Sequence, residues 1–211
     1  MCFSPEASFT LAAALAVVGA ATLMERPSRR RLAFALIPLI FAVQQAIEGF
    51  LWVSISAQGE PPRSLIVAYL FFAQLFWPIY TPLSVLLMES EKRRRWALFV
   101  LLGVGLMVSG ILAAVLVQSE YSVSVVSKSL NYKTEHAFEE QLIGLYMVAI
   151  SAPLFISRHR YVMAFGATVL MGSFVTALAF SYASASVWCF FAAIASVFVF
   201  LHIRRRKLVE I

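Results

Sequence analysis

One acidic side chain stands deep inside a long apolar run. In Phe41-Ala42-Val43-Gln44-Gln45-Ala46-Ile47-Glu48-Gly49-Phe50-Leu51-Trp52, Glu48 follows two carboxamides by three and four residues. On a helix turning about 100° per residue, Phe41, Gln44, Gln45, Glu48 and Trp52 share one face. An ionisable group at such a depth must face a protein interior or a water-filled cavity, which makes it a functional candidate. A carboxylate there can anchor a cation or a donor-rich ligand, and the carboxamides of Gln44 and Gln45 can orient it. Two further groups bear on the same chemistry. Cys2 and Glu6 lie at the N-terminus and Trp188-Cys189 near the start of the last apolar run; thiolates suit copper(I) or zinc. Gln74, Trp77 and Thr81 form a face of another apolar segment.

The elements that must position these residues are long and apolar. The chain of 211 residues is 61% hydrophobic and 13% charged, where a soluble domain carries roughly 25% charged residues, and so it falls in the membrane class. Seven helices are predicted in a single domain over residues 1–211. The first opens at Ser4-Pro5-Glu6, with an N-cap, a first-turn proline and an anion where the helix dipole favours one. It continues through an Ala-rich run in which Ala12, Ala16 and Ala20 offer a small-residue face. With no basic segment before it, this run reads as a retained helix and not a signal peptide. The second helix covers about Leu32 to Ser56 with Pro38 inside. The third covers about Ser64 to Met88 with Pro78 and Pro82, each of which frees a carbonyl one turn back. The fourth covers about Trp96 to Gln118, with Gly103, Gly105, Ser109 and Gly110 as packing positions. The fifth covers about Glu140 to Ser157, the sixth about Tyr161 to Tyr182, and the seventh about Ser184 to Ile203. Between the fourth and fifth, Tyr121-Ser122-Val123-Ser124-Val125 alternates with period two, which predicts a short hairpin turning near Ser127-Lys128-Ser129. Thr134 is then the expected cap of a helix leading into the fifth.

The basic residues set the orientation. With the N-terminus outside, the inner segments carry Arg26, Arg29, Arg30 and Arg31, then Lys92 to Arg95, then Arg158 and Arg160, then Arg204 to Lys207. The outer segments carry only Arg63, Lys128 and Lys133 out of a total of 17. The positive-inside rule therefore gives seven spans with the C-terminus cytoplasmic. Trp52, Tyr69, Trp96, Tyr161 and Tyr182 fall near helix ends, as an aromatic belt would. The net charge of +6 lies in short clusters between apolar runs, which argues against nucleic acid and leaves anionic lipid as a secondary partner.

In this frame Glu48, Cys189, Cys2, Glu6 and Trp188 gather in the outer half of the bundle, and the expectation is an outward-facing polar pocket. No Lys lies within a helix for a retinal Schiff base. The three histidines, His136, His159 and His202, lie outside the bundle interior, so an intramembrane bis-His haem has no ligands. The pocket is open to several readings. Glu48 and the glutamines are either a ligand, metal or proton site, or interhelical hydrogen bonds alone. Cys2 and Cys189 are a disulfide, shared metal ligands or unrelated. Glu135, His136, Glu139 and Glu140 have ligand-type spacing on what reads as an exposed loop face.

Several stretches carry a likeness. These are Met1-Cys2-Phe3-Ser4-Pro5-Glu6-Ala7-Ser8-Phe9, Phe34 to Phe41 with Gln44-Gln45-Ala46-Ile47-Glu48-Gly49 and Trp52, Trp77-Pro78, and Ser186 to Ala193. Together they resemble a family of small bacterial integral membrane proteins classed as a domain of unknown function. The resemblance implies a bacterial source and a multi-helix membrane protein, and no activity; the expected location is the bacterial inner membrane. The resulting expectation is a membrane protein that binds a small polar ligand or a metal ion, copper or zinc, for sensing, uptake or assembly with other membrane proteins. Its site would use Gln44, Gln45, Glu48, Gln74, Trp77 and Trp188, with Cys2, Glu6, Glu48 and Cys189 as metal ligands. The alternatives are a membrane enzyme with Glu48 as general acid/base and a thiol nucleophile, and a structural subunit.

Overall fold

The computed structural model describes residues 4–118, 121–126, 129–134, 140–179 and 184–209. Helix α1 (Pro5–Met24) begins as its residue types dictate: Ser4 is extended and its Oγ accepts the Ala7 N–H at 3.2 Å. Its buried face is Ser8, Ala12, Leu15, Gly19 and Thr22. The alanine face expected from four-residue steps is corrected, because Ala16 and Ala20 point outward. Gly19 and Ala12 let α1 lie close along the next long helix, where Leu39 fills the space a Cβ at Gly19 would need.

The second predicted helix is two pieces, α2 (Arg29–Ala35) and α3 (Ile37–Gln58), broken at Leu36. Pro38, lacking an N–H, sits in the first turn after the break. Tyr80 O–H donates to the Ala33 carbonyl beside it at 2.7 Å. The third predicted helix is a rod of three parts: α4 (Arg63–Leu70), a π-helical turn (Phe71–Phe76) and α5 (Trp77–Met88). The wide turn falls directly before Pro78, and its carbonyls find hydroxyl donors on other helices. Tyr146 O–H donates to Ala73, and Ser109 Oγ donates to Leu75 at 2.7 Å. One turn on, Pro82 cannot bond the Pro78 carbonyl, and Gly105 passes directly against that oxygen. A side chain at position 105 would occupy the place of the carbonyl itself, so only glycine allows this approach.

Helix α6 (Lys92–Gln118) starts four residues before the sequence-based expectation. Glu89 caps the turn, accepting the Ser90 and Glu91 N–H groups at 2.9 and 3.0 Å, and Arg94 pairs with Glu91 at 3.0 Å. The basic run is therefore helical and closes the α5–α6 turn, where the charge pattern alone suggested a break. Of the four expected packing positions, Gly105 and Ser109 are buried while Gly103 and Gly110 face outward.

The hairpin forms. Strand β1 (Tyr121–Val126) pairs antiparallel with β2 (Ser129–Thr134), from Tyr121 opposite Thr134 to Val126 opposite Ser129. Thr134 is thus the last residue of β2, and residues 135–139, where the helix expected after it would begin, lie outside the described residues. Three helices complete the chain: α7 (Glu140–Ile156), α8 (Arg160–Ala179) and α9 (Ser184–Val209).

Among the described residues, four helical segments are long and apolar enough to cross a membrane: Pro5–Met24, Arg29–Ala57, Arg63–Met88 and Lys92–Gln118. The segments Leu142–Ile156 and Arg160–Thr176 are apolar but shorter. The core falls into two apolar clusters. One, around Phe34, Ile37, Phe41, Trp77, Leu154 and Phe165, fills the bundle from the level of Trp77 downward toward the α5–α6 turn. The other, around Leu51, Trp52, Ile66, Tyr69, Leu116 and Leu130, lies under the hairpin, where Tyr132 stacks on Tyr69 at 4.8 Å. Trp52 and Tyr69 are therefore core residues and not belt residues, while Trp96 is exposed.

Candidate functional site

The face predicted on α3 is real and wholly internal: Phe41 and Trp52 are buried, and Gln44, Gln45 and Glu48 are 0% exposed. Their position follows from the two clusters. Phe41 belongs to the lower cluster and Leu51 and Trp52 to the one beneath the hairpin, so the three polar side chains form a layer where the clusters meet. Glu48 is ten residues before the end of α3, about 15 Å along its axis.

Within the layer, Gln45 Nε2 donates to Glu48 Oε2 at 3.2 Å, a bond across three residues of one helix. Trp77 Nε1–H donates to Gln44 Oε1 at 2.8 Å and ties α3 to α5. Gln44, Gln45 and Glu48 each make at least one interaction beyond these. The indole is held rigidly, stacked on Phe41 with ring centroids 4.0 Å apart and a 21° tilt, and met edge-on by Phe76. The indole can face Gln44 in this way because the π-turn ends at Phe76 and changes the rotation of the rod just before Trp77. Across α3, Gly49 lies against the Phe9 ring of α1 and admits it to the polar layer's edge.

Gln74 is on the π-turn, and its Oε1 is buried without a hydrogen-bond partner. Thr81 is buried one turn below Trp77, where a narrow cavity of about 10 Å³ is lined by Ile37, Phe41, Trp77, Thr81, Leu154 and Phe165. Such a space holds about one water. Its lining is mostly apolar and includes none of Gln44, Gln45 and Glu48. The polar layer is closed to solvent here, with the hairpin's apolar cluster above it.

Of the remaining predicted residues, Glu6 stands exposed in the first turn of α1. Cys2 lies outside the described residues, as do the side chains of Trp188 and Cys189, whose backbone belongs to α9. Glu135, His136 and Glu139 are likewise outside them, as is the side chain of Glu140, whose backbone opens α7. Among the described residues no three His, Cys, Asp or Glu side chains are gathered. Three hydroxyls that matter to the site, Tyr80, Ser109 and Tyr146, were not foreseen from sequence. The interior prolines announce a need for such donors, but the donors come from positions 34 to 73 residues away. A second unforeseen feature is the pairing of His159 and His202, whose rings lie 4.8 Å apart at the other end of the bundle.

The whole chain, residues 1–211, matches one family model, and the protein belongs to that family, DUF6629, a family of unknown function. No curated protein and no solved structure matches it.

Proposed function

We propose, taking membership of this uncharacterised family as the premise, that the protein is a bacterial inner-membrane protein of seven spans, N-terminus outside and C-terminus cytoplasmic. In this reading it binds a small polar ligand or a metal ion at the Glu48 layer in the outer half of the bilayer. The span count is supported by four qualifying helices, by two shorter apolar ones and by the outward faces of α6 and α8. Those faces carry Phe99, Leu106, Met107 and Ile111, and Met171, Phe174 and Leu178, all exposed. Apolar surface of that extent fits a lipid surround. The orientation is supported by the distribution of basic residues.

The observation that carries the binding reading is Glu48 itself. It is fully buried between two apolar clusters, oriented by Gln45, beside a π-turn that aims Trp77 at Gln44. A carboxyl in such a place is costly, and π-turns recur at functional sites. The metal form of this reading draws its soft ligands from Cys2 and Cys189.

Glu48→Gln tests it, since glutamine keeps the shape and can keep the bond to Gln45. Wild-type protein purified from membranes should carry copper, zinc or a small molecule, seen by elemental analysis and native mass spectrometry, that the variant lacks. Neither protein carrying anything, and both melting alike with added Zn²⁺ or Cu⁺, would overturn the proposal. The complete closure of the layer favours a second reading, a hydrogen-bonded tie between α3 and α5 with no ligand. That reading expects the variant to match wild type in every binding measurement.

A further inference from the structure

The start of α8 and the end of α9 bring together positive charge that no described carboxylate balances. Arg160 is the first residue of α8 and its Cζ lies 5.3 Å from the Tyr161 ring centroid. Arg205 of α9 reaches the same ring, with its Cζ at 5.8 Å. Arg204 covers Phe200 beside it. No acidic residue lies in the first turn of α8, and no carboxylate reaches Arg160, Arg204 or Arg205 among the described residues. The nearby Arg158 already has Glu91 at 3.2 Å. A helix N-terminus carries partial positive charge of its own, so Arg160 stands where a cation is disfavoured unless an anion joins it. Two guanidiniums lie within 5.8 Å of the centre of one phenol ring at the start of a helix, and a guanidinium is the side chain best suited to a phosphate.

A second observation says what carries the phosphate. From Arg160 an exposed stripe runs down α8 at helical spacing through Met163, Leu170, Met171, Phe174 and Leu178. A basic head site continuous with a bare apolar track fits an amphiphile and not a free ion.

We propose that Arg160, Arg205 and Tyr161 form a headgroup clamp for an anionic phospholipid, whose acyl chain lies along the exposed stripe of α8. Tyr161 brings the two guanidiniums together, with ring-to-Cζ distances of 5.3 and 5.8 Å. The clamp rests on the membrane-spanning reading and is independent of the Glu48 site.

Full-length protein in detergent, stripped of lipid, should bind phosphatidylglycerol at least tenfold more tightly than phosphatidylcholine by native mass spectrometry. Millimolar inorganic phosphate should fail to displace the lipid. Arg160→Gln with Arg205→Gln should abolish the preference, while Arg63→Gln at the opposite end should leave it intact. On the unaltered protein, phosphatidylglycerol should slow amide exchange at residues 160–162, a readout that does not depend on the variant folding. An unchanged preference in the double variant overturns the clamp, as does displacement by inorganic phosphate or the absence of protection. A protein that enters vesicles normally yet shows no preference refutes the clamp and leaves the span count standing.

Discussion

Replacing Trp77 with Phe removes one hydrogen-bond donor and leaves the stack on Phe41 possible. The donor serves Gln44 Oε1 at 2.8 Å, with Gln44 0% and Trp77 2% exposed, so no bulk water can take its place. A buried acceptor deprived of its partner costs about 1–3 kcal/mol in soluble proteins. Interhelical hydrogen bonds in membranes average about 0.6 kcal/mol and reach about 1.7, because the unfolded reference also finds partners. This bond is short and closed off, so its coupling should fall at about 1 kcal/mol. The indole-to-phenyl change also empties volume, and the single variant confounds the two losses. A cycle with Gln44→Leu separates them: Trp77→Phe, Gln44→Leu and the double variant are unfolded by SDS titration in mixed micelles, followed by far-UV circular dichroism. The double variant should be more stable than the sum of the single losses implies by about 1 kcal/mol. Strict additivity, within about 0.3 kcal/mol, would show that the bond does not hold α3 to α5 and would refute the account of the polar layer.

Gly105→Ala should be disproportionately harmful for one methyl group, lowering stability by about 1–3 kcal/mol in the same titration, because the new carbon meets the Pro78 carbonyl. Gly103→Ala, on the open side of the same helix, should be silent or mildly stabilising. Tyr146→Phe strips the donor from the Ala73 carbonyl and should cost about 1 kcal/mol, with Ser109→Ala producing a similar loss at Leu75. If either is neutral, the π-turn is satisfied without these hydroxyls.

Much of the frame was legible because apolar runs are long and their borders charged. Helix ends were less so, for a physical reason: arginine and lysine are good helix formers, so Arg29 to Arg31 and Lys92 to Arg95 open helices and Arg204 to Lys207 continues one, where the charge pattern alone suggested breaks. The hairpin was legible in the alternation of Tyr121 to Val125, and Glu48's burial in its depth within the run. The packing face of α1 was not, since small residues mark where a helix can approach and not which side it chooses. The π-turn left no local signal beyond Pro78. Its donors, and the meeting of His159 with His202, depend on which helices become neighbours, which periodicity does not encode.

The composition of the polar layer bears on what it is for. Two apolar clusters pack without directional preference, and a hydrogen bond between them fixes the rotation of α3 against α5. The Gln44–Trp77 bond suffices for that task, and it involves neither Glu48 nor Gln45. At position 48 a glutamine could also bond Gln45, and it would carry no ionisable group into the apolar interior. Glutamate adds two equivalent oxygens and the capacity to hold charge, properties that matter when a cation, a proton or a donor-rich molecule is present. An acid, rather than its amide, one turn beyond the Gln44–Trp77 bond is the residue type that the proposed binding reading requires.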